Sequence, residues 1–416
     1  MIDNLFFCLL NIIILLFLYL YRNKNIIFIK FYFICFYIYF LPGYIDYNNN
    51  QITLSKYYIT YVSLSNIFLI LGFMLLNRNT PKFKKEHVSN KHSFTNFHFF
   101  FLLVLLLTLF FKISEIGWSF QGLLQAYLKS ESESEYNISI IQNFLSIFLI
   151  SCNIFFWTEA KNRTFLSKTN TMLVLIIGLF FLLRGNRNPL MLLFLPILIY
   201  FLIEKNYFKF RYLLFFGLLA YFIADYLDAF RANGLGFLID NKTTISRSYE
   251  LKSVGEFGVQ NRVWDWIIGP NWNFNNFYFG STYIIHPILN ILTSVGLNFI
   301  TISGQYSNLL SSPDKIVGIG FSPYVESYIN FGIFGPIAFI FIGILLAFIN
   351  NTHNNNLIKN RYLKYRLLFL FPLILNFNRI DFAVLLKFFF IYWLSNKILY
   401  FFLIKFNFQY ENNNCS

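Results

Sequence analysis

Apolar runs long enough to cross a bilayer recur from one end of this chain to the other, and that recurrence leaves few folds open. They fall at Leu5–Tyr21, Ile26–Leu41, Tyr57–Leu76, Phe97–Phe111, Ile138–Trp157, Thr171–Leu183, Pro189–Ile203, Tyr212–Phe230, Pro323–Ile349, Leu367–Phe377 and Phe382–Ile404. That makes about eleven spans, with about ten to twelve as the range that the shortest runs allow. Of the 416 residues, 57 % are hydrophobic and only 12 % are charged. No soluble domain keeps so few charges over such a length, so the expectation is an all-α, polytopic integral membrane protein. One membrane domain covering 1–416 is expected, because no polar stretch is long enough to fold alone. The longest candidate, 231–321, is interrupted by Trp, Phe and Ile clusters. It reads as one large external loop within that domain. The first run has no basic segment before it and no small-residue cleavage site, so it reads as a retained helix.

The net charge of +14 does not mark a nucleic-acid binder. Its Lys and Arg residues sit in short gaps between apolar runs: Arg22 and Lys24; Arg78, Lys82, Lys84, Lys85 and Lys91; Lys161, Arg163 and Lys168; Lys205, Lys209 and Arg211; Lys359, Arg361, Lys364 and Arg366. These are alternate loops, and the positive-inside rule makes each of them cytoplasmic. The loop with Glu131, Glu133 and Glu135 falls on the opposite side. The alternation predicts an external N-terminus and a cytoplasmic C-terminus. Cys8, Cys35, Cys152 and Cys415 form no CxxC pair, and the five histidines have no metal-ligand spacing, so no metal centre and no cofactor are expected. The 57 Phe residues, among many Ile, Asn and Lys, match A/T-rich codon usage, so they are not read as sugar-stacking platforms. No internal repeat is visible, which counts against a transporter built from repeated bundles.

By this topology several ionisable residues share the external side. In FFLLRGNRNPLMLL, Arg184 and Arg187 bracket Gly185, which permits a tight turn between two short spans, and Pro189 suits the first turn of the returning helix. Cationic residues there run against the positive-inside rule. Guanidinium forks grip phosphate bidentately, although snorkelling to headgroups accounts for many arginines at a membrane edge. In IADYLDAFRANG, Asp225, Asp228 and Arg231 share a helical face at i, i+3 and i+6, a pattern that an intrahelical ion pair explains equally well. The loop carries Glu250, Glu256, Arg262 and Asp265, then FYFGSTYIIHPILNIL, which reads as an amphipathic or re-entrant segment at the membrane surface. His286, before Pro287, reads as structural.

GFSPYVESYINFGIFG opens a late span. Ser322 and Pro323 form a hydroxyl N-cap and a first-turn proline, and Glu326 follows at the head of the span with Asn330 one turn on. A carboxylate is tolerated near the positive end of a helix dipole, and Gly332 and Gly335 leave room for another helix. An ionisable residue at membrane depth beside others also marks a site. In NFNRIDFAVLLKFF, Arg379 and Asp381 mark the external turn before the last helix, and Lys387 lies deeper.

Arginines and carboxylates gathered at one membrane face, with no nucleotide loop, suit a lipid-linked anionic substrate such as a polyprenyl-diphosphate sugar. Its diphosphate is the leaving group. Arginines would neutralise the charge developing on it, and a carboxylate would orient or deprotonate the attacking hydroxyl.

RGNR between short spans, FGSTYIIHPILN, GIGFSPYVESYINFGIFG and NRIDF occur in this order, and together they resemble the Wzy-type O-antigen and capsule oligosaccharide repeat-unit polymerases. The resemblance runs from about Thr171 onward. It implies a metal-independent, GT-C-like multi-span glycosyltransferase in the bacterial inner membrane with a periplasmic active face. Its substrate would be an undecaprenyl-diphosphate-linked oligosaccharide, and the glycan would pass from one carrier to the non-reducing end of the next unit. A flippase and a chain-length regulator would work beside it. By motif match Arg184, Arg187, Glu326 and Arg379 carry over as catalytic residues. Arg231, Arg262, Asn330 and Asp381 are the substrate-binding candidates. A ligase using the same carrier would show a clearer catalytic histidine in its external loop. A lipid-linked oligosaccharide flippase would line a path through the bilayer with charge.

Overall fold

The computed structural model describes residues 2–22, 26–48, 56–76, 95–116, 140–160, 164–183, 187–204, 264, 277–293, 299–300, 321–356, 366–378 and 380–405. Every element among them is helical. In chain order they are α1 (Ile2–Leu20), α2 (Ile27–Asn48), α3 (Lys56–Leu76), α4 (Thr95–Ile116), α5 (Ile140–Phe155, ending in a π turn, Phe156–Ala160), α6 (Phe165–Leu183), α7 (Arg187–Glu204), α8 (Ser281–Thr293), α9 (Pro323–Phe331), α10 (Gly335–Asn356), α11 (Leu370–Phe377, after a 3-10 turn, Arg366–Phe369) and α12 (Phe382–Lys405). The expected span Tyr212–Phe230 and most of the loop 231–321 lie outside the described residues. Among the described residues, six stretches are long and apolar enough to cross a membrane: 3–20, 27–45, 57–76, 96–114, 323–354 and 382–402. The protein is a multi-pass membrane protein.

Apolar residues on both faces of one helix explain why the runs look featureless in sequence. On α1, Phe7, Leu10, Ile14 and Phe17 are buried, while Leu5, Leu9, Ile12 and Leu16 are exposed. One stripe packs on the bundle and the other meets lipid, where a second polar face would cost free energy. The buried residues form two clusters. One is built mainly from α1, α2, α3, α7, α9, α10 and α11, the other mainly from α4, α5 and α6 with Leu193 of α7 and Leu399 of α12.

Contacts fix the relative directions of α1, α2, α3 and α10, and these four agree with the alternation that the basic gaps predict. Asp3 accepts a hydrogen bond from Thr60 at 2.8 Å and Phe17 meets Phe73 at 5.8 Å, so α1 and α3 run parallel. Tyr44 donates to Asn4 at 3.0 Å while Phe7 lies 5.5 Å from Phe40, so α2 runs against α1. Helices α3 and α10 run parallel along a seam of glycines. A Cβ on Gly72 would stand 2.1 Å from the Ile340 carbonyl oxygen, and one on Gly343 would stand 2.1 Å from that of Leu69. Neither helix could approach so closely with a larger residue at these points, and dispersion and dipole contacts gain from the approach. At the far end of the seam, Asn351 donates to the Leu76 carbonyl at 2.9 Å, which satisfies part of the α3 C-terminus.

The late span departs from the sequence expectation. Pro323–Ile349 reads as one helix with Glu326 at its head, but the chain reverses at Gly332. In a continuous helix Tyr324 and Phe339 would be roughly 22 Å apart. Their rings stack at 5.1 Å and 5° instead, and the Ser327 carbonyl sits 2.6 Å from where a Gly335 Cβ would be. Thus α9 folds back along the start of α10. Gly332 turns the corner with φ 56°, a backbone state that favours glycine, and a 3-10 turn follows. Ser322 caps α9 as expected, accepting the Tyr324 N–H at 3.3 Å. Glu326 therefore lies ~9 Å along the re-entrant helix from the reversal.

Candidate functional site

Seven of the nine residues of α9 are buried, so this short helix is a plug inside the bundle, not a lipid-facing span. Two hydrogen-bonded networks hold it to α2 and α3. At its deep end the Tyr324 hydroxyl accepts from the Asn66 amide at 3.0 Å, and Tyr32 donates to the Asn66 Oδ1 at 3.2 Å. Near the reversal the Tyr61 hydroxyl pairs with Ser327 at 2.9 Å and donates to the Gly332 carbonyl at 3.3 Å. Gly335 is next to that hydroxyl, which occupies the place a Cβ would take. This is the close approach expected at Gly335, whereas Gly332 serves the turn. Trp264, from the loop, is buried against Tyr58, Tyr61 and Tyr328 at 5.0, 4.9 and 5.0 Å.

Glu326 is 1 % exposed. It occupies the first turn of α9, but its side chain serves a different helix. Its Oε2 accepts the Phe382 N–H, the first of α12, at 2.9 Å. Asp381 caps the same terminus, its Oδ1 accepting the Val384 N–H at 2.8 Å. Two carboxylates thus meet at the positive end of one long helix, where unpaired backbone N–H groups welcome negative charge. The other Glu326 oxygen, Oε1, is buried and has no close hydrogen-bond partner among the described residues, with the Thr282 hydroxyl the nearby donor. A carboxylate oxygen left so is costly, and it is the atom best placed to take a proton.

Asn330, one turn on, ties this helix to α8. Its Oδ1 accepts the Gly280 N–H at 2.9 Å, and its Nδ2 donates to the Thr282 hydroxyl at 2.6 Å and to the Glu326 carbonyl at 2.7 Å. Thr282 is also within reach of the Glu326 carboxylate. Helix α8 packs along α12, with Tyr283 5.3 Å from Phe382. His286 follows one turn after Thr282. Read from sequence as structural, it stands within electrostatic range of Asp381, between the edges of Tyr278 and Phe299 at 5.9 and 5.1 Å. Burial lowers its pKa from the ordinary histidine value, and the Asp381 charge opposes that shift.

Of the residues expected at the site, Glu326, Asn330 and Asp381 come together. Arg184, Arg231, Arg262 and Arg379 lie outside the described residues, as do Asp225 and Asp228. Arg187 begins α7, with its side chain outside them; Pro189 is in the first turn, as expected. Lys387 is half-buried in the second turn of α12. Among the described residues no group of three His, Cys, Asp or Glu side chains converges to hold a metal. Tyr61, Asn66, Ser327 and Thr282 were missed in the sequence. Thr282 and Ser327 carried a signal, as parts of FGSTYIIHPILN and GIGFSPYVESYINFGIFG.

No curated protein and no solved structure matches the chain. A family model described as O-antigen polysaccharide polymerase Wzy matches residues 2–410, nearly the whole length, including α8, the re-entrant α9 and the α12 terminus. The chain belongs to the O-antigen polysaccharide polymerase Wzy family.

Proposed function

We propose that this polymerase joins undecaprenyl-diphosphate-linked oligosaccharide repeat units at the outer leaflet of the bacterial inner membrane. In this reading the acceptor hydroxyl loses its proton to Glu326 as its oxygen bonds to the anomeric carbon of the donor. The bond from that carbon to the diphosphate breaks, and the diphosphate leaves with the electron pair. Arg184, Arg187 and Arg379 neutralise its developing charge, with Arg231 and Arg262 holding the substrate and Asp381 beside it. A diphosphate needs no further activation, so the reaction proceeds without metal. The GT-C-like arrangement of about eleven spans, the periplasmic face, and a flippase and chain-length regulator as partners belong to the same proposal. Asn330, proposed from sequence to bind substrate, uses both amide atoms internally, and we read its contribution as placing Glu326 and α8.

The observation that supports this most is the half-used carboxylate of Glu326, with one oxygen fixed by a helix terminus and the other without a close partner among the described residues. The test uses purified enzyme with a lipid-linked repeat unit, assayed with and without a chelator. Glu326→Gln keeps the Phe382 bond and removes the base, so the rate should fall ~10²–10⁴-fold. Chelator should leave the wild-type rate unchanged. Near-normal polymer from the Gln variant would remove Glu326 from the chemistry, and chelator-sensitive wild-type activity would remove the metal-free mechanism.

A further inference from the structure

The turn that leads into α8 holds its backbone in a state that its sequence does not favour. The Ser281 N–H donates to the Tyr278 carbonyl at 2.9 Å, and the two residues between them, Phe279 and Gly280, have φ 47° and 83°. Positive φ at both central positions marks a type I′ turn, which favours Asn-Gly. Among the described residues Phe279 is the one non-glycine with positive φ. Its ring gains little from the protein in return, since it is 84 % exposed, with Phe277 beside it at 6.4 Å. The turn itself is firmly seated. The Tyr278 N–H donates to the Ile329 carbonyl at 3.0 Å, and the Gly280 N–H to Asn330 at 2.9 Å. Phe277 lies over Gly332 and Phe331 over Gly280, each ring within 3.3 Å of where a Cβ would stand.

An exposed aromatic on a strained backbone is explained by a partner outside the chain. Phe99, Phe110 and Phe341 are exposed on ordinary helices, so contact with bulk lipid does not require the strain. The place of the turn narrows what else could use it. Asn330, which holds Gly280, also donates to Thr282 at 2.6 Å and to the Glu326 carbonyl at 2.7 Å, so hydrogen bonds tie the turn directly to the site. Beyond the turn, α8 exposes Ile284, Ile285, Ile288 and Leu292 as one apolar stripe ~12 Å long. We propose that Phe279 and this stripe hold the first isoprene units of the substrate's polyprenyl chain, which brings its sugar-diphosphate head to the junction of α8 and α9. This rests on the lipid-linked substrate of the proposed function. The stripe supplies apolar area, and the locked turn sets where the chain begins.

The test compares purified enzyme on one repeat unit carried either by undecaprenyl diphosphate or by ethyl diphosphate, which lacks the isoprene chain. Wild-type enzyme should have the lower KM on the long carrier, and equal values would overturn the subsite. Phe279→Asn supplies the residue that a type I′ turn prefers, so it should unfold at or above the wild-type temperature. It should also raise KM on the long carrier about tenfold, as one lost aromatic contact would, and leave KM on the ethyl carrier unchanged. Ile288→Ala should show the same carrier dependence with a smaller rise. An equal rise on both carriers would make Phe279 a bilayer or folding residue, and no rise on either would remove it from binding; each overturns the proposal. If Phe279→Asn does not accumulate, Ile288→Ala decides by the same criteria. Failure of the functional reading looks different: wild-type enzyme would make no polymer from either carrier. Glu326→Gln should lose rate on both carriers alike, so loss of the base assignment would leave the carrier comparison standing.

Discussion

At the scale of single residues, Asn330 shows how a buried amide can be worth more than its size. It engages three partners, two at the start of α8 and one on its own helix, and each is left in an apolar setting if it is removed. Asn330→Ala should therefore cost ~1–3 kcal/mol, read as a lower unfolding temperature in detergent, and should reduce polymer length even where protein remains in the membrane. Unchanged stability would mean that water takes over all three bonds. Glu326, Asn330 and Asp381 were legible in the sequence because a charge or amide next to an apolar run needs a reason. The hydroxyls and amide of α3 were not. Tyr61 and Asn66 stand in a run where a single polar side chain can always bond to its own helix, and Asn66 does also donate to the Val62 carbonyl at 2.9 Å.

At the scale of elements, the reversal at Gly332 is the feature that sequence conceals. Hydropathy records where a stretch partitions, not which way it runs, and 323–354 registers as one apolar stretch. The visible cues were two glycines, and they were read as packing sites. Single cysteines introduced without the native ones distinguish the two geometries. A thiol at Ile333, which is 75 % exposed at the turn, should react with a membrane-impermeant reagent added outside, whereas one at buried Val325 should not. A straight span would reverse that order. The glycine seam gives a second expectation. Gly343→Leu places a side chain on the α3 backbone and must separate the helices, a disturbance of ~1–3 kcal/mol or more. Lower yield and faster proteolysis of the membrane-inserted protein would register it, and a wild-type profile would mean that the seam is looser than its distances.

For the whole molecule, the succession of apolar helices and the relative directions of α1, α2, α3 and α10 were readable, because both follow from bilayer thickness and loop charge. Ten of the eleven expected spans coincide with helices, one of them broken, and the other lies outside the described residues. The site was less readable, since it forms where α8, α9 and α12 meet, and proximity between distant segments leaves no local mark. Reporter fusions after Leu183 and within 241–276 should read external, and those near Lys84 and Lys364 cytoplasmic. A cytoplasmic reading after Leu183 would place the arginines of the RGNR turn on the wrong face. The α3–α10 seam also sets a condition on synthesis. Gly335 follows Leu76 by roughly 260 residues, so at ~5–20 residues per second the ribosome needs tens of seconds to deliver the partner of α3. During that interval the narrow glycine groove of an inserted helix faces lipid or some other protein. Chains released early, before α10 exists, should be cleared by membrane proteases faster than the complete polymerase, even though every helix in them is intact.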